Sequence, residues 1–257
     1  MMRQKVQNIV NTISENLSSW KSVDALLLAD SAEVDMYDPY FFLSFDVYCN
    51  GAIPVMEERK ALLPESIAFE SSGTHPKDRF LLQDVPIRLE YKEEAFFEAL
   101  ITDVSQHLSL FNQIGTYPLY RLAYGAVILQ KGDWIGQMRE QMNDLPDSFW
   151  NTISRELLAS MGHALSDLLS AAMHNDNYFF VLSSATFIKK IVSILFIANR
   201  EFEPSSRRSS GAVLDLPNLP ENFRGRFDNF LRQDGGVDLE KKAEIAELIP
   251  KSVISMG

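Results

Sequence analysis

Apolar residues near the start of the chain recur at three-to-four spacing: Val6, Ile9, Val10, Ile13, Leu17 and Trp20. That period predicts an amphipathic helix over residues 4–19. VDALLLAD, residues 23–30, is short, apolar and bounded by polar positions, the pattern of a buried strand. SAEVDMYDP follows as a loop with a breaker at Pro39. DPYFFLSFDVYC, residues 38–49, alternates as a strand does, with Leu43, Phe45 and Val47 on one face and Ser44, Asp46 and Tyr48 on the other. NGAIP ends it, and residues 55–82 are mixed in character. VPIRLEYK, residues 85–92, alternates again, with Ile87 and Leu89 opposed to Arg88 and Glu90. From Glu93 the period turns helical through EEAFFEALITDVSQHLSLFNQ, YPLYRLAYGAVIL, and residues 148–173 and 176–202. A Pro- and Ser-rich stretch, 203–220, precedes two short helices at 221–233 and 238–249. Strands early and helices late predict an α+β fold: a small mixed-sheet α/β domain over residues 1–92, then an all-helical domain over 93–257.

Composition narrows the function classes. A hydrophobic fraction of 46% over 257 residues supports a sizeable core. The single cysteine, Cys49, excludes an intramolecular disulfide and suits a reducing, cytoplasmic setting. The first residues lack the charged start and apolar block of a signal peptide. The longest apolar run, IVSILFIA at 191–198, falls far short of the roughly 20 residues of a membrane span and reads as a buried helix. No membrane partner is expected. The net charge of −11 repels nucleic-acid backbones, and Arg207–Arg208 and Arg224 with Arg226 are too sparse to reverse that. A phosphate-bearing ligand on so acidic a chain needs a metal or specific basic residues.

Common catalytic signatures are missing. There is no phosphate-binding G-x-x-x-x-G-K-[ST] loop, no dinucleotide G-x-G-x-x-G and no G-x-S-x-G elbow. The histidines, His75, His107, His163 and His174, form no close pair. What remains is Asp46 and Glu90, each on the polar face of a strand in the same region. On neighbouring strands they would converge, as a Mg²⁺ site requires of its carboxylates. The alternative for Asp46 is a surface carboxylate on a half-exposed sheet. Arg88 shares the Glu90 face, either to pair with that carboxylate or to meet a phosphate. Lys77 and Arg79 are open to an anionic ligand or to surface pairs.

LLLADS, LSFDVY and IRLEYK, in that order, resemble the nucleotidyltransferase superfamily, the fold of kanamycin nucleotidyltransferase and DNA polymerase beta. That pattern is a strand, a Gly-Ser turn, a D-x-D strand and a third carboxylate on a later strand. YPLYRLAYGAVILQKGDWI and ILFIANREFEPSSRR followed by LPNLPENF resemble bacterial nucleotidyltransferase-like proteins of the DUF4037-like type. The resemblance spans residues 20–233. It implies Asp46 and Glu90 as catalytic and Mg²⁺-binding residues. It implies nucleotide contacts from Asp30, Ser31, Ser44, Arg88, Asn199 and Arg200. The chain departs from the pattern at two points. Asp30 replaces the glycine of the turn, placing bulk and charge where phosphates lie. Ser44 replaces the first acid of D-x-D, and Asp35 or Asp38 in the preceding loop could stand in for it. Two functions stay open. One is a degenerate member binding a nucleotide or small ligand in an interdomain cleft. The other is an active Mg-dependent enzyme moving a nucleoside monophosphate to a small-molecule hydroxyl.

Overall fold

The computed structural model describes residues 2–29, 42–64, 66–72, 76–232 and 238–254. It sorts into two compact units, Met1–Thr102 with Leu119–Asp144, and Asp103–Pro118 with Leu145–Gly257. The sequence pattern placed the division between residues 92 and 93. The chain instead returns to the first unit after Pro118.

In the first unit, helix α1 (Met2–Ser18) precedes strands β1 (Val23–Ala29) and β2 (Leu43–Cys49). Helix α2 (Met56–Ala61) leads to the hairpin β3 (Ile67–Ser71) and β4 (Lys77–Leu82), then β5 (Val85–Glu93) and α3 (Glu94–Thr102). After α4 (Leu108–Ile114) of the second unit, α5 (Tyr117–Tyr124) leads back into β6 (Ala126–Gln130) and α6 (Trp134–Asn143). The six strands form one mixed sheet in the order β3-β4-β5-β2-β1-β6. β2 and β5 are parallel and every other pair is antiparallel.

YPLYRLAYGAVIL is therefore not one helix. Its first eight residues are helical, and AVILQ pairs with β1 as an edge strand. Gly125 marks the change. A Cβ there would sit 2.6 Å from the Arg121 carbonyl oxygen and 3.1 Å from a Leu27 methyl, so only glycine lets the chain turn so close to β1. The mixed stretch 55–82 holds the β3–β4 hairpin, which charged residues concealed.

Every residue of β2 is buried. One sheet face packs Phe45, Val47, Leu89 and Leu26 against Ile9, Ile13 and Leu17 of α1. The other face carries Asp46, which is 0% exposed, so it is not a surface carboxylate on a half-exposed sheet. Asp78 of β4 is equally buried and grips Arg59 of α2 with two hydrogen bonds, Nε to Oδ2 at 3.0 Å and Nη2 to Oδ1 at 3.1 Å. Ser71 adds a third at 2.7 Å, and the guanidinium lies 4.9 Å from the Tyr91 ring centre.

In the second unit, α7 (Asp147–Met173) and α8 (Asn177–Ala198) form a helical hairpin, followed by α9 (Ser206–Ala212), α10 (Phe223–Leu231) and α11 (Leu239–Ile254). Among the described residues α8 is the one helix long and apolar enough to cross a membrane. Its run Ile191–Ile197 is wholly buried in the unit, as a core helix is. At its end the buried Glu203 carboxylate accepts from Ser193 Oγ at 2.6 Å, against Gly115, where a side chain would collide with it.

Removing one member of a buried ion pair strands its partner's charge, which costs about 3–5 kcal/mol. Asp78→Ala is expected to lose about that much in urea denaturation. The double variant Arg59→Met/Asp78→Leu should recover most of the loss, since it leaves no charge behind.

Candidate functional site

Parallel pairing sets Ser44 beside Arg88, Asp46 beside Glu90 and Tyr48 beside Lys92. The period of two then puts all six on one face of the sheet. Antiparallel β4 brings Lys77 opposite Glu90 from the other side. A buried carboxylate without a partner would not stay ionised. Asp46 has two cationic partners. Arg121 of α5 donates from Nε to Oδ2 at 2.7 Å, and its Nη2 lies 2.6 Å from Oδ1. Lys92 Nζ lies 2.7 Å from the same Oδ1.

The one guanidinium serves the whole face. Arg121 Nη2 also donates to Ser44 Oγ at 3.0 Å, and Nη1 to Glu90 Oε2 at 3.3 Å. Lys77 Nζ takes the other Glu90 oxygen at 2.7 Å, with Arg88 Nη1 at 4.0 Å and the Arg88 guanidinium 3.8 Å from the Phe42 ring centre. Four cations, Arg121, Lys92, Lys77 and Arg88, thus surround two carboxylates, Asp46 and Glu90, on a chain whose overall charge is −11.

Arg121 is held in place from behind. Arg139 of α6 donates to the carbonyls of Leu122 at 3.0 Å and Gly125 at 2.6 Å, at the C-terminal end of α5. Leu119 and Leu122 bury on either side of Arg121. Burial would raise the Glu90 carboxyl, but Arg121, Lys92 and Lys77 outweigh it and hold it down at about 2. Burial lowers the Lys92 ammonium, and Asp46 works against that shift. The Tyr48 phenol, also buried, is pushed up by burial and then by Asp46.

Of the residues singled out from sequence, Ser44, Asp46, Lys77, Arg88 and Glu90 are brought together here. Asp30 and Ser31 lie outside the described residues, as do Asp35 and Asp38. Asn199 and Arg200 belong to the second unit and have local roles. Asn199 ends α8 and exchanges hydrogen bonds with Asn218, at 2.8 and 2.9 Å. Arg200 pairs with Asp147 at 2.6 Å, both well exposed. Sequence reasoning missed Lys92 and Arg121. Lys92 lies two residues beyond Glu90, and strand alternation alone puts it on that face. Arg121 is a lone cation in an apolar helix, a signal that asks for a buried acid without saying which.

These donors do not fit a divalent ion. Among the described residues no three His, Cys, Asp or Glu side chains converge on a metal position. Cations already hold both oxygens of Asp46 and both of Glu90. At an effective dielectric of about 20, a dication placed about 4 Å from one of them would meet roughly 8 kcal/mol of repulsion.

Residues 111–207 match the family described as a domain of unknown function, DUF4037. The DUF4037-like resemblance is met over that range, which contains Arg121 but neither Asp46 nor Glu90. Among solved structures, a nucleotidyltransferase-like protein from Exiguobacterium sibiricum 255-15 is similar at 10% identity and a TM-score of 0.49. That match covers 97% of this chain and 74% of the other. An aminoglycoside 6-adenyltransferase from Bacillus subtilis is similar at 9% identity and a TM-score of 0.32, covering 95% and 88%. No curated protein matches the sequence.

The ion pairs give a pH signature. Glu90 titrates at about 2 in the folded chain against an ordinary value of 4.5. As pH falls below 4.5 the unfolded chain takes up this proton first, so the contribution of Glu90 is complete above pH 4.5 and is lost towards pH 2. Urea midpoints of the wild type and Glu90→Gln should lie well apart at pH 6 and converge as pH drops through that window.

Proposed function

We propose that this is a nucleotidyltransferase-like protein that binds a nucleotide or another small anionic ligand and does not carry out metal-dependent nucleotidyl transfer. The observation that carries the reading is the single guanidinium of Arg121 spanning Asp46, Ser44 and Glu90. In nucleotidyl transfer assisted by metals, free carboxylates hold the ions beside the attacking and leaving oxygens. Here every oxygen of the two carboxylates already lies against a side-chain cation. The positive charge that a phosphate requires is built into the protein.

Lys77 and Arg88 form the solvent side of the cluster, with side chains 27% and 24% exposed, while Arg121 is 4% exposed. Phosphate oxygens accept from such groups in charge-assisted hydrogen bonds. Arg121 and Lys92 then act as positioning residues, holding Glu90 and Asp46 so that Lys77 and Arg88 stand fixed at the rim. Mg²⁺ has no part in this reading. The active-enzyme reading requires Arg121 to leave both acids while Lys92 leaves Asp46 and Lys77 leaves Glu90. Restoring the D-x-D motif by Ser44→Asp would not suffice, because the new carboxylate faces Arg121 Nη2.

Calorimetry with ATP, in EDTA and in Mg²⁺, tests this. Binding is expected in EDTA and should not tighten with Mg²⁺. Lys77→Ala/Arg88→Ala should weaken it about tenfold, the loss of one to two charge-assisted contacts. Mn²⁺ titrations followed by electron paramagnetic resonance should show no site in the wild type or in Ser44→Asp, and a gained site in Ser44→Asp/Arg121→Gln. Binding that depends on Mg²⁺, with release of pyrophosphate, would establish the enzyme instead.

A further inference from the structure

The second unit carries a feature that the anionic-ligand reading does not use. Between the C-terminal turns of α7 and the first half of α11 lies a groove of about 580 Å³. Its apolar side is Leu169, Ala172 and Met173 of α7 with Ala243 of α11. Its other wall is acidic, formed by Asp238, Glu240, Glu244 and Glu247, and among the described residues no lysine or arginine lines it.

The ordinary roles of helix acids account for part of this wall only. Asp238 caps α11 by accepting from the Lys241 amide at 2.8 Å, and Glu240 lies in the first turn, where the helix dipole favours an anion. Glu244 and Glu247 lie beyond the reach of that effect. Glu240, Glu244 and Glu247 stand at spacings of four and three, which places like charges in one stripe, with Lys241 and Lys251 at helical spacing from Glu244 and Glu247 on its flanks. At 1.5 Å per residue the stripe runs for about 10 Å, or two turns.

On the apolar side Ala243 is already buried, Leu169 and Ala172 are half-buried, and the free surface is at Met173. Met173 is 76% exposed. Just past the turn, Tyr178, Val181 and Leu182 lie exposed on one stripe of α8, at spacings of three and one. Exposed apolar surface gathered at one end of a helical hairpin marks an interaction site.

We infer that this groove receives a cationic amphipathic helix of a partner protein, whose apolar stripe covers Met173, Leu169 and Ala172 while its lysines or arginines lie along Glu240, Glu244 and Glu247. Charge complementarity selects this occupant. The wall offers acceptors only, in a register of two helical turns that a helix with basic residues at the same spacing matches.

A fluorescein-labelled Lys/Leu peptide of about 14 residues, with leucines on one helical face, tests the assignment against a scrambled peptide of the same composition. Fluorescence anisotropy should show binding of the amphipathic peptide that weakens with salt, and at least about tenfold weaker binding of the scramble. Glu240→Lys/Glu244→Lys/Glu247→Lys should weaken it about tenfold or more, worth about 1.4 kcal/mol. The exposed triple Glu15→Lys/Glu57→Lys/Glu140→Lys, which changes the net charge equally, should leave it within about twofold. The neutral triple with glutamines, checked by circular dichroism, repeats the test should the lysine variant fail to fold. Met173→Asp should also weaken binding, because the apolar contact is part of the site. Equal losses from the two lysine triples, or equal binding of the scrambled peptide, would reduce the effect to overall acidity and overturn the inference. So would sedimentation showing that the groove is occupied by a second copy of the chain.

Discussion

The first unit turns on one buried contact, the fork of Arg121 on Asp46. Asp46 is fully buried in a central strand, and a carboxylate in that position is untenable without cations within hydrogen-bond reach. Arg121 supplies one and Lys92 the other. Their presence requires the rest. β5 must run parallel to β2 in the register that sets Lys92 and Glu90 beside it. The chain must come back after Pro118 to lay α5 on this face. Gly125 must allow the turn into β6, and Arg139 must hold the end of α5. A change at any of these points would strand a charge in the sheet, which costs far more than losing a methylene from its core.

The same device recurs at the other end of the sheet. Arg59 and Asp78 fasten α2 to the outer hairpin, with Ser71 and the Tyr91 ring completing the environment of the guanidinium. Buried ion pairs add little net stability compared with well-packed apolar residues, but they are strict about geometry. Each of the two in this sheet ties a helix to one particular strand position. That matters here for β1, which is apolar along nearly its whole length and would tolerate a slip on hydrophobic grounds alone.

The second unit is organised differently. Its core is the apolar α7–α8 hairpin, with the buried Glu203 satisfied by serine hydroxyls rather than by a guanidinium. Hydroxyl donors compensate burial only in part, so burial keeps the Glu203 carboxyl raised, whereas cations bring Glu90 down to about 2. Burial is the largest influence on both carboxyls; it prevails at Glu203 despite Lys189 and Lys190, and the paired cations overcome it at Glu90.

Periodicity alone determined a good deal. The strands holding Asp46 and Glu90, the faces on which these residues lie, the helical character of the later chain and the buried run in α8 follow from spacings of two and of three to four, which are local properties of the backbone. Residues 126–129 read as helix in the sequence, because an apolar tetrapeptide after a helix has no period long enough to declare itself, and pairing with β1 decides its state. The hairpin within 55–82 was hidden likewise, since edge strands carry the charged residues that loops do. Above all, no spacing links Asp46 to Arg121, 75 residues further on. The sequence specified that a carboxylate lies on an apolar strand. Only the tertiary structure decided that its cation is a guanidinium of the same chain, because that choice depends on which helix returns to cover the sheet.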